Sequence, residues 1–229
     1  MKNSDKGFNC EGVVTLDNPG AGRGQMQLFA GDVRGLPGVS EAILQGHAPM
    51  GREHPTAAFV HRYADMKGMH ETKVEVEIGD FNFIPFYRMR LIAGGNVRKG
   101  ENIPPVVINE TYARMLGFSD PKDALGNQLL YRENGLWYTI CGVVKDYHQT
   151  SFHETIRPLI IITWVSDAKS VAIRLGVHGD AAKRLMGELA AKWRSFFRGC
   201  RLSPAHFRRR STGCILRRTE PRCLCNRRR

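Results

Sequence analysis

Val106-Val107-Ile108-Asn109-Glu110-Thr111-Tyr112-Ala113-Arg114-Met115-Leu116-Gly117 opens a stretch that runs to Leu159-Ile160-Ile161-Ile162 with little filler between its elements. A short apolar run meets Asn109, whose side-chain oxygen can accept a free backbone N–H at the start of a helix over 110–116, and Gly117 stops that helix. Asp120-Pro121 then caps and starts a second short helix, which Gly126 ends. Residues 129–132 and 136–144 flank Glu133-Asn134-Gly135, where Asn-Gly supplies the positive φ angles of a tight hairpin. Leu159-Ile160-Ile161-Ile162 is apolar at every position and reads as a strand buried on both faces. Together these signals define a mixed module of short helices and strands.

Outward from that module, the two chain ends resemble each other. Residues 12–16 read as a strand, and Met26, Phe29, Ala30 and Val33 recur at helical spacing before Leu36-Pro37-Gly38 ends the element. Residues 39–44 return as a second strand, followed by a polar loop through Gly51-Arg52-Glu53-His54-Pro55. Val74, Val76 and Ile78 alternate with Lys73, Glu75 and Glu77, which predicts a half-buried strand with a charged outer face. Near the other end, residues 171–175 give a strand, and Asp180 can cap a helix with Leu185, Leu189, Trp193 and Phe196 on one stripe. The expected fold is α+β: a β-α-β subdomain built from residues 1–79 and 166–197, with a mixed subdomain of 80–165 inserted in it.

At 229 residues the chain can bury a sizeable core. Its formal charge of +12 is concentrated in residues 198–229, where eleven arginines face the single acid Glu220 and leave +2 for residues 1–197. A near-neutral folded part argues against a nucleic-acid surface spread over the domain, so no specific nucleic-acid partner is expected, and a basic nucleic-acid-binding protein acting through the tail is the rival reading. Four of the six cysteines, Cys200, Cys214, Cys223 and Cys225, share that tail, whose composition is foreign to what precedes it. The tail reads as a disordered, solvated extension and as the product of a shifted reading frame. Its Cys and His206 spacing fits no common structural zinc pattern. No stretch reaches the ~20 apolar residues that cross a bilayer, and the polar opening Met1-Lys2-Asn3-Ser4-Asp5-Lys6 is no signal peptide, so the chain as given is expected to be soluble.

Chemistry-bearing residues gather only at Asp146, His148, His153 and Glu154, on a loop between two strands. A metal-dependent hydrolase built on Asp146, His148 and His153 would need three converging ligands and an open position, and the spacing matches no such motif. The stronger reading is a structural or interaction loop in which Asp146 caps backbone N–H groups and the imidazoles bond locally. His47, His54, His61 and His70 fall in a loop-rich region and read as surface histidines. Gly20-Ala21-Gly22-Arg23-Gly24 lacks the lysine and hydroxyl of a phosphate-binding loop. No catalytic residue, cofactor site or metal site is expected, and no enzyme.

Phe83-Ile84-Pro85-Phe86-Tyr87, Leu91-Ile92-Ala93-Gly94-Gly95, Ile108-Asn109-Glu110-Thr111, Leu116-Gly117-Phe118, Ala124-Leu125-Gly126 and Gly142-Val143-Val144-Lys145-Asp146-Tyr147-His148 stand in an order and spacing that resembles the extracytoplasmic core domain of MacB/FtsX-type ABC transporter permeases, in the form common in Bacteroidetes. The likeness covers residues 7–197, with Gly95 standing where the family carries arginine. It implies a porter-like subdomain interrupted by a second one. It also implies a chain cut from a longer inner-membrane protein, with membrane helices on both sides and this domain on the periplasmic face. The implied work is coupling of ATPase-driven helix movement to export or release of a lipoprotein, peptide or other substrate. The implied partners are a cytoplasmic ATPase subunit, a second permease copy and a periplasmic or lipoprotein partner. Phe83, Tyr87, Asn109, Gly117, Gly126, Gly142, Asp146, His148 and Pro158 carry the family motif and are expected to hold the inserted module together rather than touch a substrate.

Overall fold

β9 (Leu159–Ile162) is buried along its whole length because each of its faces meets a different core. Leu159 and Ile161 pack with Val107, Val144 and Tyr147, whereas Ile160 and Ile162 pack with Val106, Ile108, Tyr112 and Tyr138. The structure, a computed structural model, describes residues 7–49, 54–61, 69–98, 105–149, 154–163, 168–197 and 207–209. β6 (Val106–Asn109) alternates between the same two cores, which is why its first three residues are all apolar.

These strands sit in a seven-stranded sheet that also holds β3 (Thr56–His61), β4 (His70–Ile78), β5 (Leu91–Gly94), β7 (Gln128–Tyr131) and β8 (Leu136–Val144), in the order β5-β8-β6-β9-β4-β3-β7. β7 pairs with β8 as well as β3, so the sheet curls back on itself. α3 (Glu110–Met115) leaves β6 directly under an Asn109 cap, and Asp120 caps a 3-10 turn at Pro121–Ala124. In the β7–β8 hairpin only Gly135 takes a positive φ, of 69°. Asn134 acts through its side chain instead, accepting from Leu136 N at 3.0 Å and donating to Tyr138 Oη at 3.0 Å.

The second sheet is built from both chain ends. Its order is β11-β1-β10-β2, with β1 (Val13–Asp17), β2 (Val39–Gln45), β10 (Ser170–Leu175) and β11 (Phe207–Arg209) all antiparallel to their neighbours. β10 therefore lies between β1 and β2, which themselves run parallel. α1 (Arg23–Arg34) and α4 (Gly179–Phe196) cover one face, packing Phe29, Val33, Leu185, Leu189 and Trp193 onto Val14, Leu16 and Ile173. The other face contributes Val13, Ile43 and Ala172 to the core shared with the seven-stranded sheet. Helices, small sheet and large sheet thus stack in layers.

Four expectations change. β3 and β4 belong to the seven-stranded sheet, so residues 56–78 do not join the chain-end sheet as a boundary at 79 implies. The region holding His54, His61 and His70 is expected to be loop-rich, yet Thr56–His61 forms β3, a full partner of β4. His178, not Asp180, is the N-cap residue of α4, because the helix starts at Gly179, and Asp180 instead pairs with Lys183 at 2.9 Å in the first turn. The tail is not wholly apart from the fold either: Phe207–Arg209 pairs with β1 in the register Val14↔Arg209 and Leu16↔Phe207. Main-chain pairing needs no apolar periodicity, which is why composition missed it.

That strand gives a first expected outcome. A chain ending at Phe197 should still melt cooperatively, since all three cores survive, but with about 1–2 kcal/mol less stability than one ending at Arg209, because β1 loses its main-chain partners on one side. Urea unfolding of the two chains checks this; equal midpoints would remove β11 from the fold.

Arg174 ties the start of the chain to this framework. It is 7 % exposed, donates to Glu11 O at 2.8 Å and to Phe86 O, and lies over the Phe86 ring at 4.8 Å.

Candidate functional site

The motif-bearing loop after β8 lands at the junction between α3, β4 and the segment leading into β9. Asp146 accepts from Thr111 N at 2.9 Å, from Thr111 Oγ1 at 2.7 Å and from Arg114 Nη2 at 2.8 Å. One carboxylate thus holds the first turn of α3 against the end of β8, 35 residues later in sequence. Asn109 supports the same turn: its Oδ1 accepts from Tyr112 N and Leu159 N, each at 3.0 Å, and its Nδ2 donates to Arg157 O at 2.9 Å. Replacing Asp146 with alanine is expected to cost about 1–3 kcal/mol, the range for losing charged hydrogen bonds at a partly buried helix start. Thermal melting of Asp146→Ala beside Asp146→Asn reads it, with the asparagine variant falling between wild type and the alanine variant.

Beneath this junction lies a buried ionic cluster that the sequence did not announce. Glu75 and Glu77 were expected on a charged outer face, but they are 3 % and 0 % exposed. Their neighbours in register on β9, Leu159 and Ile161, lie in the core between the two sheets, and Tyr147 of the loop after β8 lies close to both carboxylates. His54 reaches in from the chain before β3, and its Nδ1 lies 3.1 Å from Glu77 Oε1 while Nε2 donates to Gln149 O at 2.8 Å. Its side chain is 1 % exposed, so the expectation of a surface histidine fails here. Burial opposes its charge, yet the hydrogen bond and negative charge of Glu77, the Gln149 carbonyl and Glu75 outweigh that and push its pKa up to about 9. Glu75 takes Arg157 Nη1 at 3.0 Å, and Arg157 also reaches Glu154 at 3.2 Å. Gln149 and Arg157 bond reciprocally, side chain to main chain, at 2.8 and 3.0 Å. Burial, then the charges of Glu77 and Glu75, raises the Tyr147 phenol well above its ordinary range.

The remaining motif residues divide by place. Pro158 joins the junction through its carbonyl, which accepts from Glu75 N at 2.9 Å, and His148 is half-buried in the same loop. His153 lies outside the described residues. Phe83 and Tyr87 sit at the other end of the inter-sheet core, on and after α2 (Phe83–Phe86), and Tyr87 Oη donates to Gln45 Oε1 at 2.7 Å. Gly117 and Gly126 take φ of 89° and 78°, conformations that glycine adopts without strain. Gly142 has an ordinary φ but no room: a Cβ there would stand 2.2 Å from Gly95 O. Among the described residues no three His, Cys, Asp or Glu side chains gather as a metal centre, and both Asp146 oxygens serve α3. The arrangement joins elements rather than presenting an open site.

Solved structures with the same layered arrangement exist. The chain matches the periplasmic region of MacB from Actinobacillus actinomycetemcomitans with a TM-score of 0.57 at 12 % identity, over 85 % of this chain and 89 % of that one. The chain has the MacB periplasmic-domain fold. It also matches the extracellular domain of the noncanonic ABC-type transporter YknZ from Gram-positive bacteria, with a TM-score of 0.54 at 12 % identity over 80 % of this chain and 92 % of that one. No protein-family model and no curated protein matches the chain. MacB-like in fold, the described residues contain no helix long and apolar enough to cross a membrane.

Proposed function

We propose that this chain is the extracytoplasmic domain of an ABC transporter permease, converting ATPase-driven movement of membrane helices into export or release of a lipoprotein, peptide or other substrate. The observation that carries the reading is the shared fold, which spans most of this chain and most of the MacB and YknZ domains. Strand order supports it. β1 and β11 are antiparallel neighbours, so the chain running into β1 and the chain leaving β11 lie at one end of the small sheet, as a lever hung between two membrane helices requires. On this reading the chain-end sheet with α1 and α4 is the porter-like subdomain, and the mixed subdomain inserted in it is the arm that meets a periplasmic or lipoprotein partner. The cytoplasmic ATPase and a second permease copy act through the membrane segments. The motif residues Asn109, Asp146, His148 and Pro158 would keep the arm stiff, and Phe83 and Tyr87 would join it to the lever.

The test is association. The chain expressed in its genomic setting, with the neighbouring membrane segments and ATPase, should co-purify with that ATPase from detergent-solubilised membranes. Failure to associate with any ATPase subunit, or substrate turnover by the isolated chain that Asp146→Asn removes, overturns the reading.

A further inference from the structure

The short helix α2 closes on Arg88, the only non-glycine residue among those described with a positive φ, of 51°. Arg88 N donates to Pro85 O and Met89 N to Ile84 O, each at 3.0 Å, the paired bonds of a helix end that glycine completes with least strain. Ending the helix therefore does not account for a charged side chain here. Two more cations stand close by. Lys145 N donates to Arg90 O at 2.8 Å, one step beyond the Leu91↔Val144 pair, so Arg90 and Lys145 stand opposite each other where β5 meets β8. Like charges placed directly opposite one another are destabilising. Arg88, Arg90 and Lys145 are all exposed, and none forms an ion pair with another described residue. Asp146, next in sequence to Lys145, is already held by Thr111 and Arg114.

These cations flank the path by which the chain enters the fold. Asn9 N donates to the carbonyl of Tyr87, the residue before Arg88, at 2.7 Å. The Phe8 ring packs edge-on against Tyr87 and Tyr147, with centroids 6.1 and 5.8 Å away. Gly7 lies so near the 146–147 main chain that an added Cβ would stand 3.1 Å from Asp146 O. We propose that Arg88, Arg90 and Lys145 form a contact surface for the anionic headgroups of a phospholipid bilayer. The proposal rests on the transporter reading, in which the chain ahead of Gly7 comes from a membrane helix and brings this corner to the bilayer surface. Phosphate oxygens accept from guanidinium as a fork and from ammonium as a point charge, so one headgroup layer serves all three side chains. Each cation at an anionic surface strengthens binding roughly fivefold, an effect that salt screens.

The tail arginines would also adhere to anionic lipid, so the test uses the full chain with every arginine of residues 210–229 replaced by serine. Flotation with vesicles of phosphatidylglycerol and phosphatidylcholine in equal parts, at low salt, reads binding. It should be absent with phosphatidylcholine alone and disappear in high salt. Arg88→Gly combined with Arg90→Gln and Lys145→Gln should weaken it about tenfold or more. That variant should melt no lower than its parent, because glycine relieves the positive φ and the opposed like charges are gone. A charge-matched control, Lys183→Gln with Arg184→Gln and Arg194→Gln on the exposed side of α4, should change binding by less than about twofold. Equal losses in the two triple variants overturn the proposal, since net charge alone would then govern adhesion. So does vesicle binding that the three patch substitutions leave unchanged, or tighter binding to a DNA duplex than to the vesicles. The vesicles carry no ATPase, so this assay and the association test of the transporter reading can fail independently.

Discussion

Gly142→Val is expected to destabilise the protein by roughly 3 kcal/mol or more, the upper part of the range for forcing atoms into a filled site. Gly142 pairs with Gly94 where β5 crosses β8, and an added Cβ would meet Gly95 O at 2.2 Å and Leu91 Cδ2 at 3.3 Å. The first of these atoms is backbone, so it cannot rotate away; β5 would have to detach. The constraint is proximity rather than dihedral angle, because Gly142 is not among the glycines with positive φ. Alanine should therefore share most of the penalty. Gly95→Ala is the control, since nothing lies within 4 Å of its added Cβ, and it should shift stability by less than about 0.5 kcal/mol. Urea midpoints decide the matter: equal losses at 95 and 142 would mean that the close approach does not govern the site.

His54→Ala should cost about 3–5 kcal/mol, the range for breaking a buried ion pair, because it leaves the fully buried Glu77 without its cation. Replacing both partners with apolar residues, as in His54→Leu with Glu77→Met, should recover much of that loss. The pair also sets a pH dependence of definite sign. His54 has a folded pKa of about 9 against 6.5 when unfolded, so its contribution is complete below pH 6.5 and is lost as pH rises through 9. The full shift corresponds to at most about 3 kcal/mol. Urea unfolding between pH 6 and 10 should show wild-type stability falling across that window, and the difference between wild type and His54→Ala should shrink with it. A difference independent of pH would show that His54 is held as a neutral ring.

The elements read correctly from sequence are those whose signals lie within a few residues. Asn109, Gly117, Asp120 and Gly126 each act on the nearest turn, and the unbroken apolar run of β9 requires cover on both faces whatever provides it. The β4 pattern shows the limit. Alternation fixes that Glu75 and Glu77 share a face, but it cannot tell whether that face meets water or another layer. The answer depended on His54, on the other side of β3, and on Gln149 and Arg157 more than seventy residues along the chain. Asp146 was legible as a capping residue, whereas its target, the first turn of α3, was not, because the contact closes only when β8 pairs with β6. β11 left no trace in composition, since a strand that contributes main-chain bonds to an edge can have almost any sequence.

The position of β10 between β1 and β2 also sets an order of assembly. β1 and β2 emerge early in synthesis but share no hydrogen bonds, and each must wait for a strand more than a hundred residues away. Every strand of the seven-stranded sheet, by contrast, lies between Thr56 and Ile162, so that sheet can close before β10 exists. The early β1-α1-β2 segment, with Val14, Leu16 and Phe29 lacking their final cover, is then an exposed apolar intermediate, the kind of surface that chaperones hold. Pulse-labelled hydrogen exchange during refolding should find amides of β6 and β8 protected before those of β1. The last-made strand of the core thus fastens the first.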